Sequence, residues 1–160
     1  MKKHFLYAGA LLMMLLASCV SQVETTQSGL NPENFRTKVG DAQTDLYVLK
    51  NQLGMEVCIT NFGGRIVSMM VPDKNGEMRD VVLGFDSIAD YIHIPSDFGA
   101  AIGRYANRID HGRLVLDGDT IQLPQNNFGH CLHGGPTGWQ YQVYDANQTN
   151  DSTIVLTMKS

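Results

Sequence analysis

The sequence predicts an all-β protein built from short antiparallel strands, and three observations predict it. Glycine is frequent, with 16 in 160 residues, and many of these glycines fall where a chain would reverse direction. Leu, Val, Ile, Thr and aromatic residues recur in short runs of strand length. Between the runs stand dense turn signals such as Pro72-Asp73-Lys74-Asn75-Gly76 and Asp117-Gly118. The length is that of one domain. An apolar share of 43% and a net charge of −4 argue against disorder and indicate no nucleic-acid partner.

The N-terminus reads as a leader. Lys2 and Lys3 precede an apolar stretch, Phe5 to Leu16, that is too short to span a bilayer comfortably. It closes on Leu16-Ala17-Ser18-Cys19, which resembles a bacterial lipobox. Residues 1–18 are therefore expected to be a lipoprotein signal peptide, with Cys19 acylated and anchoring the protein to a membrane. An ordinary secretory signal with a coincidental cysteine is the alternative. The expected location is the bacterial cell envelope, periplasmic or outer-membrane. Residues 19–34 are polar and rich in Ser, Thr and Gln, as a flexible tether would be, and the domain is expected over residues 35–160.

Leu46 to Leu49 and Glu56 to Thr60 read as a hairpin across Asn51-Gln52-Leu53-Gly54. Gly63-Gly64 frees the backbone before a strand from Arg65 to Val71. After the Pro72 turn, Arg79 to Leu83 is the next strand. Asp86 to Tyr91 suggests a short helical turn capped by Asp86. Leu114 to Leu116 and Thr120 to Leu123 form a hairpin around Asp117-Gly118. A long loop rich in Asn, Gly and His runs from Gln125 to Gly138. Tyr141 to Tyr144 and Thr153 to Met158 are expected to pair as the last two strands. An exported chain permits a disulfide between Cys58 and Cys131, while the apolar run around Cys58 favours a buried free thiol.

Two clusters could carry chemistry. In Gly103-Arg104-Tyr105-Ala106-Asn107-Arg108 the alternation of a strand breaks down. The adjacent Asn107 and Arg108 offer planar, multi-donor hydrogen bonding that suits vicinal hydroxyls or a carboxylate. In Leu132-His133-Gly134-Gly135 a histidine lies beside residues that let a backbone pass close to a ligand. Each cluster alone is also the composition of an ordinary solvated turn. No Gly-x-Ser-x-Gly, Cys-x-x-Cys or phosphate loop occurs. The histidines at 93, 111, 130 and 133 do not fall at metal-ligand spacing, so no metal is expected. Asp117 and Asp119 are more simply turn residues than a glycosidase pair.

Taken together, "TNFGGRIVSMMVPDKNGEMRDVVLGFDSIADY", "FGAAIGRYANRI" with a following "LDG", and then "LHGG" resemble the aldose 1-epimerase (galactose mutarotase) family in order and spacing, from about Thr60 to Trp139. The resemblance implies a large antiparallel β-sandwich, the galactose mutarotase-like supersandwich, with an open sugar cleft. It implies that Asn107, Arg108 and His133 line that cleft and hold sugar hydroxyls, with Arg104 and Tyr105 supporting the site or merely packing. Its activity is the interconversion of α and β anomers of a hexose such as galactose or glucose. A histidine acid and a glutamate base open and reclose the ring with no cofactor.

The family's acid histidine and base glutamate follow the Leu-His-Gly-Gly motif by many residues, whereas no His or Glu occurs from Gly134 to Ser160. The chain is thus expected to be the N-terminal part of such a domain, an incomplete sandwich inactive by itself. The alternative is a non-catalytic carbohydrate-binding or structural surface lipoprotein.

Overall fold

The computed structural model describes residues 25–160. The stretch expected to be a signal peptide and Cys19 lie outside the described residues. The centre of the fold is a four-stranded antiparallel meander of β3 (Leu46–Lys50), β4 (Glu56–Thr60), β5 (Arg65–Pro72) and β6 (Met78–Asp80), in that spatial order. The smaller pairs are all antiparallel: β1 (Lys38–Val39) with β2 (Ala42–Gln43), β7 (Arg108–Ile109) with β10 (Cys131–Leu132), β8 (Arg113–Leu116) with β9 (Asp119–Gln122), and β11 (Asp145–Asn150) with β12 (Thr153–Thr157). The one α-helix among the described residues is α1 (Ile88–His93). The all-β expectation holds.

The core lies on one face of the meander. Leu46, Cys58 and Val67 from the sheet meet Phe62, Ile88 and Tyr91, and Leu30 and Phe35 close the cluster from the N-terminal side. A register shift between Cys58 and Ile59 places a bulge in β5, so Val67 and Ser68 are both buried where strict alternation would expose one. Burial in β4 does alternate, but on Glu56, Cys58 and Thr60. The inward face is therefore partly polar, and each polar group needs a partner. Glu56 accepts the Gln27 backbone N–H at 2.7 Å and pairs with Lys50 at 3.3 Å.

Several expectations are corrected. The stretch expected to be tether as far as residue 34 is packed from Thr26 onward. Thr26 and Leu30 are buried, and Asn31 caps a 3₁₀ turn at Pro32–Phe35. Its polar composition hid this, because the anchoring comes from only two apolar side chains, Leu30 and Phe35. The helix is capped by Ser87, whose hydroxyl accepts the Asp90 N–H, rather than by Asp86. The strand expected at 79–83 ends at Asp80, whose carboxylate takes the Met69 and Val82 N–H groups. The free thiol favoured at Cys58 needs no correction: Cys58 and Cys131 are both buried free thiols, and burial pushes the Cys58 thiol pKa upward.

The last hairpin also differs. Trp139–Tyr141 is a 3₁₀ turn, and Val143 makes only an isolated bridge to Phe62. The strand that pairs with β12 is Asp145–Asn150, polar along its length and held by its partner rather than by propensity. The hairpin is fastened to the meander by Lys50 N–H to Asp151 O at 2.6 Å and by the Gln148 side chain to Val48 O at 3.1 Å.

Candidate functional site

Pairing of β7 with β10, in the register Arg108 opposite Leu132, brings the two sequence clusters together. Asn107 stands just before β7 and His133 just after β10, and both adopt the left-handed backbone conformation, at φ 64° and 53°. Non-glycine residues rarely do so, and Asn is among those that tolerate it best. The result is a reciprocal contact. The Asn107 N–H donates to His133 Nδ1 at 2.9 Å, and the His133 N–H donates to Asn107 O at 3.0 Å.

This contact determines the histidine's chemistry. Because Nδ1 accepts, the proton of the neutral ring sits on Nε2, which is left as a donor. Arg108 is steadied from two sides. Its Nε donates to Asn127 Oδ1 at 2.9 Å, and one terminal nitrogen reaches Asn107 Oδ1 at 3.4 Å. Asn107 and Arg108 are exposed and His133 is half-buried. The three side chains form an open polar patch.

The glycines are there for close packing. The Gly103 carbonyl accepts the Trp139 N–H at 3.2 Å, and a Cβ at Gly103 would fall inside the Trp139 ring. Gly134, at φ 81°, lies so near the Gly103 carbonyl that any side chain would collide with it. Two backbones thus cross without side chains between them, which brings His133 alongside the Gly103–Arg108 segment. Arg104 and Tyr105 are exposed. They edge a neighbouring, mainly apolar hollow of about 440 Å³, walled also by Ile109, Leu114, Ile121 and Trp139. None of Asn107, Arg108 and His133 lines it. A larger trough of about 730 Å³ lies between the turns at 50–53 and 150–152, away from every candidate residue.

Three functional supports escaped the sequence reading. Asn127 orients Arg108. The Asn126 side chain pairs with both backbone groups of Leu132, at 2.8 and 3.0 Å, and so holds β10 from its open side. Arg65 is fully buried and gives two hydrogen bonds to Ser96 O and Phe98 O, both 3.1 Å, and one to Gln140 O at 2.9 Å. Its guanidinium also lies 5.0 Å from the Tyr91 ring centroid and 5.6 Å from that of Phe62. Burial lowers the Arg65 pKa from its ordinary value. The asparagines were visible only as part of an Asn-rich loop, and Arg65 only as the first residue of a strand.

The family model for aldose 1-epimerase matches residues 45–160. The chain belongs to the aldose 1-epimerase family. Among relatives, it is similar to an aldose 1-epimerase of Escherichia coli, 34% identical over 115 residues, which is 72% of this chain and 33% of that protein. A probable aldose 1-epimerase of Arthroderma benhamiae is 40% identical over 103 residues, 61% of this chain and 23% of that protein. A solved GalM/aldose epimerase homologue from C. elegans superposes with a TM-score of 0.69 at 31% identity, covering 72% of this chain and 35% of the other. The antiparallel fold is therefore galactose mutarotase-like. The chain spans a third or less of the length of these aldose 1-epimerase relatives.

Proposed function

We propose that this chain contributes the sugar-holding side of an aldose 1-epimerase that interconverts the α and β anomers of a hexose such as galactose or glucose. The observation that carries the reading is the joining of Asn107, Arg108 and His133 into one polar patch by the reciprocal hydrogen bonds across β7 and β10. Arg108 offers a planar fork of donors, and Asn107 offers an amide. His133 offers its Nε2–H. Together these groups suit a ring carrying several hydroxyls. Orientation of that kind aids ring opening by fixing the C1 hydroxyl and the ring oxygen relative to an acid and a base. The acid histidine and base glutamate that the family resemblance implies match no residue after His133. The proposal assigns them to the part of the relatives' length that this chain does not span. No cofactor enters this chemistry. Sugar binding without turnover is the second reading.

Polarimetry on the protein purified from its own cells tests the assignment. Anomerisation of α-galactose or α-glucose should exceed the spontaneous rate. Arg108→Ala or His133→Ala should each weaken sugar handling by roughly 1–3 kcal/mol, since polar partners lose their match. Unchanged kinetics in both variants would remove these residues from the site. Saturable sugar binding with no acceleration would favour the second reading.

The lipobox-like Leu16-Ala17-Ser18-Cys19 supports a lipid anchor on Cys19 and a place in the bacterial cell envelope, with more than one acyl chain required for stable retention. Cys19→Ala should move the protein out of the membrane fraction on centrifugation. Retention there would rule out the anchor.

A further inference from the structure

We propose that Asp110, His111 and His130 form a binding site for a divalent cation of the zinc type, built from other residues than the sugar patch and independent of that reading. Spacing along the sequence argues against a metal, because nineteen positions separate the two histidines. The pairing of β7 with β10 removes that separation: Asp110 and His111 follow β7 directly, and His130 directly precedes β10. His111 takes the left-handed conformation, φ 47°, which stands its ring beside that of His130 with centroids 5.3 Å apart. One potential ligand atom from each of the three residues then lies within 4.8 Å of the others.

The distances fit the intended geometry. Two ligands on one tetrahedral zinc, bound through N and O, stand about 3.4 Å apart. Asp110 Oδ1 is 3.2 Å from His130 Nδ1 and 3.8 Å from His111 Nε2, values on either side of that separation. Asp110 and His111 are exposed, at 82% and 74% of their side-chain surface, so small rotations can close the remaining gap. Two imidazoles and a carboxylate suit zinc and its first-row neighbours better than calcium or magnesium. Three protein ligands leave a fourth position for water.

A second observation points to a cation. His130 Nδ1 accepts the His111 backbone N–H at 3.1 Å and also faces the Asp110 carboxylate at 3.2 Å. A ring nitrogen carries either a lone pair or a proton. If it carries the lone pair, the carboxylate faces another acceptor; if it carries the proton, the amide faces another donor. A cation between Oδ1 and Nδ1 replaces that mismatch with two metal–ligand bonds, and the exposed His111 amide turns to water.

Calorimetric titration of the full-length protein with Zn²⁺, and visible spectra with Co²⁺, test the site. One equivalent should bind, and Co²⁺ should give the absorption of a low-coordinate nitrogen and oxygen set. His111→Asn and His130→Asn should each weaken binding about tenfold or more, with Asp110→Asn acting in the same direction. His93→Asn, which alters a histidine on α1, should leave the titration unchanged. The proposal is overturned if the native protein shows no saturable binding, or if the three variants bind as it does. A near-ultraviolet thiolate band with Co²⁺ would also overturn it, because it would put a cysteine in the ligand set.

Discussion

At the scale of single residues, a few polar side chains hold more of this structure than their number suggests. Arg65 is the clearest. It is completely buried and satisfies carbonyls from two distant segments, 96–98 and Gln140. Replacement by Met keeps much of the volume but leaves those acceptors without donors. Arg65→Met should therefore cost about 3 kcal/mol or more, read as a lower midpoint in urea unfolding. A loss below about 1 kcal/mol would mean that water satisfies the carbonyls instead. Asn61 works similarly: its side chain takes the Asp45 N–H and donates to Gln43 O and Tyr144 O. Of the candidate site, Asn107 and Arg108 stand out where a strand pattern breaks and His133 beside its glycines, while their sugar-holding role is what the family resemblance implies. Asn127 and the Asp110, His111 and His130 group were not, because their roles exist only once β7 and β10 pair.

At the scale of elements, the strands with strong alternation were legible almost to the residue. β3, β4 and β5 fall where the apolar runs place them, and β8 and β9 flank the expected turn. There Asp117 and Gly118 take φ 51° and 91°, the two positive values that a type I′ hairpin requires. The elements that were missed share one cause. β11 is polar and exists through pairing with β12, whereas Tyr141 to Tyr144 looks like a strand but begins within the Trp139–Tyr141 turn and makes only the Val143 bridge. That turn presents the Gln140 carbonyl to Arg65 and lets the Gln140 side chain donate to His133 O at 3.0 Å. Tertiary partners overrode local preference in both places. The N-terminal segment from Thr26 to Phe35 failed differently, since two anchoring apolar residues in a polar run carry too little pattern to detect.

At the scale of the whole molecule, burial disfavours the charged form of ionisable groups, lowering the pKa of Arg65 and raising those of acidic ones. It raises the pKa of Tyr91 and, to differing depths, of Tyr47 and Tyr144 above the ordinary 10.0, and that of the Cys58 thiol above 9.0. All four are neutral in both states below about pH 8, so their contribution to stability is fully present there. As pH rises further the unfolded chain ionises first, and stability falls until the folded-state values are passed. Melting temperature should thus drop between pH 8 and about pH 10.5. Tyr91→Phe should shrink that drop even though it removes the bond from Phe85 N–H to the Tyr91 hydroxyl, 3.0 Å long. An equal drop in the variant would mean that Tyr91 ionises alike in both states.

The reach of the Arg65 hydrogen bonds has a consequence for the order in which the chain matures. The meander of β3 to β6 is complete in sequence by Asp80, yet one acceptor for its buried guanidinium lies 75 positions beyond Arg65. Whether the chain emerges from a ribosome or threads through a translocase, its first half arrives with a charge that has no destination. Contacts of such long range slow folding, and a half-formed sheet with an unplaced charge is a natural client for a holding chaperone. The early meander stays provisional until the Gln140 turn arrives.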